Sequence, residues 1–203
     1  MKYLVNSIAV ASLAFLAACQ SNGESQTEAA GSPETTQQST QTSAPTQAQA
    51  QQPVQPTLPM AKEAAKQIPD FQFYKVKSGI SFTKADITAN RNTVFILFDP
   101  NCGHCQAEAG MLAKNYNKLK DVNLYFVSMN DPALMVSFLE TFGKELVDKP
   151  NVEVLYDRNQ DFIQKFHVPD QFPANYVYGA DGSLKSNWEG DKQIDAILAA
   201  YLK

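Results

Sequence analysis

Sulfur and imidazole are scarce in this chain, which has three cysteines and two histidines in 203 residues. A structural zinc site takes four ligands, mostly Cys and His. Beside Cys102 and Cys105 only His104 and His167 stand out, so no metal is expected. Positive charge is not in excess either. The formal net charge is −4 at pH 7, which leaves no basic field to hold a phosphate backbone and argues against nucleic acid as a partner. Long apolar runs are missing from the body of the chain, and a mean hydropathy of −0.30 excludes a polytopic membrane protein. The one candidate run, Leu4 to Ala18, has about 15 residues and falls short of the ~20 that span a bilayer.

Between residues 20 and 60 Lys and Arg are absent, the only acids are Glu24, Glu28 and Glu34, and ten glutamines stand among Ser, Thr and Pro. Such a stretch cannot bury a core. That leaves residues 61–203 as one globular domain, in which acidic and basic side chains nearly balance.

What is present begins with Lys2 and the apolar run behind it, the n-region and h-region of a secretory signal. The run closes on Leu16-Ala17-Ala18-Cys19. This resembles the lipobox of bacterial lipoproteins, which implies removal of a signal peptide at 1–18, lipidation of the Cys19 sulfur and acylation of the new amine. Several acyl chains, each buried CH₂ contributing ~0.8 kcal/mol, would anchor the protein stably to a membrane. The resemblance therefore places the domain in the bacterial cell envelope, on the periplasmic face. Gln20 after the cysteine leans towards the outer membrane. Residues 19–60 read as a lipidated cysteine followed by a flexible tether, with a random-coil span of roughly 35 Å.

In the domain, residues 71–76 have strand-like aromatic and β-branched content. Residues 93–98 form an unbroken apolar run of the kind expected for a strand covered on both faces. Leu112, Tyr116 and Leu119 then repeat at helical spacing, with Asn101 expected to cap the helix. Residues 122–127 read as the next strand, and Asp131-Pro132 opens a helix as cap and first residue. A strand at 152–156, a helix carrying Phe162, Ile163 and Phe166, and a strand at 175–178 follow. Asp181-Gly182 is a hairpin signal, residues 183–188 return as a strand, and Ile194, Ile197, Leu198 and Tyr201 line a last helix. This alternation indicates an α/β sandwich with a mixed sheet. Tyr74, Tyr176, Tyr178 and Trp188 read as sheet packing rather than a ligand surface.

With Cys19 assigned to the lipobox, one pair of cysteines remains. Cys102 and Cys105 at i, i+3 on the first turn of a helix lie on one side of it, within disulfide reach. The first sulfur lies at the positive end of the helix dipole, which favours thiolate, the attacking species in exchange. His104 between them can add a hydrogen bond or positive charge near the Cys102 sulfur. Cys105 is expected to lie deeper, as the resolving thiol.

The buried strand ending at Phe98, Cys102-Gly-His-Cys105 opening a helix, and Phe172-Pro173 leading into a strand and an Asp-Gly turn together resemble the thioredoxin superfamily, nearest its extracytoplasmic, membrane-tethered TlpA and ResA branch. The resemblance covers about residues 65–203. It implies a thioredoxin-like three-layer sandwich, a mixed central β-sheet with helices on both faces. It also implies a cis-proline at Pro173 facing the cysteines, with Phe172 pairing its backbone with the substrate chain. The implied activity is thiol–disulfide exchange through Cys102, Cys105 and His104, with protein disulfides or dithiols as substrates, a membrane redox partner and no cofactor. The tethered branch points to a reductase, whereas the Cys-Gly-His-Cys motif resembles that of protein disulfide isomerase.

The sequence departs from the family pattern in three places. Asn101 stands where tryptophan usually precedes the first cysteine, Ala174 stands where threonine usually follows the proline, and Ile96 replaces the buried acid that accepts the second thiol's proton. Proton transfer from Cys105 is then expected to use water, Asp99 or substrate. Gln106, where covalent haem would need histidine, closes that option. Asp99, where a peroxiredoxin would carry threonine, argues against a peroxidase. The alternative to an enzyme is a binding lipoprotein with a static disulfide, although so short a loop constrains the unfolded chain little.

Overall fold

A computed structural model describes residues 59–203. The signal at 1–18, Cys19 and the tether up to residue 58 lie outside the described residues. The elements in chain order are β1 (Gln72–Lys75), β2 (Ser81–Thr83), β3 (Asn92–Leu97), α1 (Gly103–Lys114), β4 (Val122–Ser128), α2 (Pro132–Phe142), β5 (Val152–Tyr156), a π-helical turn (Phe162–Phe166), β6 (Ala174–Tyr178), β7 (Leu184–Glu189) and α3 (Ile194–Leu202).

All seven strands join one sheet in the order β2-β1-β5-β4-β3-β6-β7. The three central strands β5, β4 and β3 run parallel, while β1, β2, β6 and β7 pair antiparallel to their neighbours. Every residue of β4, and every residue of β3 after Asn92, is buried. That is why the two strands read as continuous apolar runs rather than alternating ones.

Successive β3 residues point to opposite faces. Val94 and Ile96 belong to the core under α1, α2 and α3, with Leu112, Phe138, Leu139, Ile197 and Tyr201. Phe95 and Leu97 face a second core dominated by Phe71, Phe73, Phe82, Tyr125, Phe162, Phe166, Tyr176 and Tyr178. The second face is covered by the π-helical turn and by the lead-in to β1, where Ala61 and Ala65 donate their N–H groups to the carbonyls of Ile163 and Phe166. Layers on both sides of a mixed sheet make this the thioredoxin-like α/β fold. Tyr176 and Tyr178 are fully buried and Trp188 nearly so, in keeping with packing. Among the described residues no helix is long and apolar enough to cross a membrane.

Two local expectations need correction. The helix behind the cysteines stops at Lys114, where Asn115 caps it, and residues Tyr116–Lys118 form a separate 3-10 turn. Tyr116 and Leu119 therefore continue the apolar face without continuing the helix. The N-cap is Cys102 itself rather than Asn101, because Asn101 is held in the preceding turn with its N–H on the Asp99 carboxylate, 2.8 Å away.

Candidate active site

The dithiol lies where β3 runs out of the sheet. Phe98 makes the last ladder bond, donating to the Val127 carbonyl, and the Cys102 N–H then donates to the Asp99 carbonyl, turning the chain into α1. Cys102 has extended backbone angles and takes the cap position, and its carbonyl accepts the Gln106 N–H. Its sulfur thus stands at the helix N-terminus, partly exposed, while Cys105 in the first turn is buried. Both thiols are free. Burial pushes the Cys105 thiol far above its usual range. A hydrogen bond from the Asp99 backbone opposes this, and Cys102 and the charge of Glu108 add to it.

The Cys102 sulfur lies 3.9 Å from the Phe172 carbonyl oxygen, and the Phe172-Pro173 peptide is cis. The Phe172 ring is partly exposed. Beyond Pro173 the chain enters β6, where Ala174 pairs with Leu97 and Asn175 with Ile96. The sheet register therefore brings the proline loop, seventy residues on in sequence, against the cysteine loop.

The chief site residue that sequence reasoning missed is Glu108. It is 2 % exposed and lies one helical turn beyond Cys105, on the same side of α1. The Asn175 amide donates to both of its carboxylate oxygens, at 3.0 and 3.3 Å, and the Tyr201 hydroxyl from α3 donates to the Asn175 carbonyl oxygen. Burial pushes the Glu108 carboxyl up to about 7, against the pull of Asn175 and with a contribution from the charge of Asp191. The sequence points to water, Asp99 or substrate as acceptors of the Cys105 proton, and Glu108 is a buried acid near Cys105 that this reading does not include. Ile96 and Asn175 are register partners, so their side chains share one face, and Glu108 reaches that region from the helix instead of from the strand. The signal was legible as a charged residue in the apolar stripe of Cys105, Ala109 and Leu112.

His104 turns outward. Its Nδ1 lies 2.7 Å from a carboxylate oxygen of Asp191, just beyond β7, and both side chains are largely exposed. The sequence pointed His104 towards Cys102 and gave no hint of Asp191. His167 lies elsewhere, with its Nδ1 2.8 Å from the Tyr176 hydroxyl. Among the described residues no group of three or more His, Cys, Asp and Glu is placed to hold a metal ion.

A helix opening on one accessible and one buried thiol, set on a mixed sheet and faced by a cis-proline loop, defines a thioredoxin-like protein. The chain belongs to the AhpC/TSA family, whose model matches residues 64–187. Solved structures agree on the fold. A secreted Mycobacterium tuberculosis disulfide oxidoreductase is 22% identical with a TM-score of 0.52, covering 65% of this chain and 94% of that one. A putative protein disulfide isomerase from Bacteroides thetaiotaomicron is 16% identical with a TM-score of 0.56, over 72% and 91% of the two chains. An exposed lipoprotein thioredoxin from Streptococcus pneumoniae is 18% identical with a TM-score of 0.53, over 66% and 98%. At these identities the likeness is one of fold alone. No curated protein matches the chain.

Proposed function

We propose that this protein is a thiol–disulfide oxidoreductase of the bacterial envelope, of the tethered TlpA and ResA kind, anchored by lipid at Cys19 and acting as a reductase. The observation that carries the chemistry is the stacking of three groups. An accessible Cys102 sulfur faces the Phe172 carbonyl, a buried Cys105 thiol lies behind it, and a buried carboxyl poised near neutrality lies one turn deeper.

In the reducing direction the Cys102 thiolate attacks one sulfur of a substrate disulfide, whose S–S bond breaks as the Cys102–substrate bond forms. The departing substrate sulfur leaves as thiolate and takes a proton from water. The mixed disulfide lies against the backbone at Phe172-Pro173. Cys105 gives its proton to Glu108, and its thiolate attacks the Cys102 sulfur, so that the Cys102–substrate bond breaks as the Cys102–Cys105 bond forms and the second substrate sulfur leaves as thiolate, taking a proton from Glu108 or water. Two electrons pass to the substrate, and the Cys102–Cys105 disulfide is reduced again by a dithiol of a membrane redox partner. No metal or organic cofactor takes part in this scheme. Peroxide reduction is the weaker reading, because Asp99 replaces the peroxidase threonine and its carboxylate is engaged by the Asn101 N–H.

Replacing Cys105 by Ser tests the mechanism, since without a resolving thiol Cys102 should accumulate as a mixed disulfide visible on non-reducing gels. The reduction potential tests the direction. A value near or below about −250 mV supports a reductase, and about −180 to −120 mV supports an oxidase or isomerase. A pair that never exchanges leaves a binding lipoprotein with a static disulfide.

A further inference from the structure

Three consecutive residues where β7 ends, Glu189 to Asp191, contact both the proline loop and the cysteine motif. The Glu189 carboxylate accepts hydrogen bonds on one oxygen from the Asp170 and Gln171 N–H groups, at 2.8 and 3.2 Å. These are the two residues immediately before Phe172. Its other oxygen lies 3.6 Å from His167 Nδ1. The Gly190 N–H donates to the Pro173 carbonyl at 2.9 Å, so the loop is held on both sides of the Phe172-Pro173 peptide. An Asp191 carboxylate oxygen lies 2.7 Å from His104 Nδ1, joining the same segment to the cysteine motif.

The segment is built for close approach. Gly190 has φ of +68°, where side chains are rarely tolerated, and a Cβ there would come within 2.9 Å of the Gln171 side-chain oxygen. Glu189 is three-quarters buried and takes two backbone N–H groups of an exposed loop on one oxygen. A carboxylate in that place forms charge-assisted bonds, shorter and stronger than a neutral acceptor would give.

We infer that Glu189 is a positioning residue for substrate, fixing the 170–172 loop so that the Phe172 carbonyl is held opposite the Cys102 sulfur, with Gly190 and Asp191 locking the same segment to Pro173 and His104. The inference rests on the proposed exchange reaction at this dithiol. Glu189 touches neither the cysteines nor the substrate, so it acts on how a peptide chain is bound and leaves the sulfur chemistry alone.

The test uses the full-length protein in detergent, with a disulfide-bonded peptide as substrate and dithiothreitol as electron donor. Glu189→Ala should raise KM for the peptide about tenfold, the size of one lost positioned contact. kcat and the rate at which iodoacetamide alkylates Cys102 should both stay close to wild type. Glu189→Gln, which keeps an acceptor oxygen, should recover most of the KM. Glu189→Asp draws the carboxylate back by one methylene and serves if the alanine variant does not fold, and it too should raise KM. An unchanged KM in folded variants overturns the inference, as does a KM rise accompanied by loss of Cys102 alkylation. A wild-type protein that does not reduce the peptide at all overturns the exchange reading itself, and is distinguished by being seen before any variant is made.

Discussion

At the scale of single residues, the proposed chemistry turns on how Glu108 is kept. A carboxyl so deeply buried normally stays neutral well above its usual range, because charge in a low-dielectric interior lacks solvation. Here the Asn175 amide lies across both oxygens and supports the anion, and the balance leaves the group titrating at about 7. A general base works best with a pKa near the operating pH. Glu108→Gln keeps the shape and the burial but cannot accept a proton, and should slow resolution of the mixed disulfide by about 10²-fold. Stopped-flow measurement of that step would show it, while the first attack by Cys102 should be little altered. The pH dependence has two signs to check. In the proposed scheme resolution needs the carboxylate, so its rate in the wild type should rise as pH increases through about 7, and the rise should vanish in Glu108→Gln. Stability runs the other way. The folded pKa lies above the carboxyl's ordinary 4.5, so the folded state binds the proton more tightly, and the stability this contributes is complete below about 4.5 and lost as pH rises through about 7. Chemical denaturation between pH 5 and 8 should show the loss in the wild type and not in the glutamine variant.

At the scale of elements, the second core is an aromatic one, and its centre is Phe95 on β3. Its ring lies 5.0 Å from that of Phe166, 5.6 Å from Phe71 and Tyr125, and 6.0 Å from Tyr178, mostly tilted or edge-on. Because one side chain holds the lead-in, the π-helical turn and β6 against β3, Phe95→Ala should cost about 3–5 kcal/mol, measurable by urea denaturation. Such a loss is a large part of an ordinary domain's stability. How well each element was legible follows from how far its cause is local. The β3 run and the Asp131-Pro132 start of α2 were legible, because burial on both faces and a capping side chain leave direct marks on sequence. β2 was not, since three residues answering β1 across a turn carry too little pattern. The Phe162 and Phe166 spacing reads as helix. Its π geometry shows in the His167 N–H closing on the Phe162 carbonyl, five residues back, while the buried Asp157 carboxylate fixes its start by taking the N–H groups of Asp161 and Phe162. In the site, the cysteine pair and Phe172-Pro173 were visible as motifs. The roles of Asn175, Tyr201, Glu189 and Asp191 were not, because each depends on contacts that only the sheet register and the α3 docking create.

At the scale of the whole molecule, the proposed reaction needs two encounters that use the same face. Phe172 and the Cys102 sulfur form an accessible patch that a substrate disulfide must cover, and the oxidised pair must later offer that patch to a dithiol of the membrane partner. In this proposal one partner is fixed in a bilayer, so the frequency of the second encounter would depend on keeping the domain near it. Lipid attachment at Cys19 would supply that confinement, turning a search through the compartment into one near the membrane surface, with a raised effective concentration. The expected consequence separates anchoring from chemistry. Cys19→Ser should move the protein from the detergent-extracted membrane fraction to the aqueous one, while exchange with a disulfide peptide and dithiothreitol in solution stays unchanged. In cells, the same variant should accumulate with Cys102 and Cys105 oxidised, because the electron supply and not the dithiol is what it has lost. Trapping thiols with a mass-tagged maleimide would read this directly. A variant that leaves the membrane yet stays fully reduced would mean that its electrons come from a donor that is not confined to the membrane.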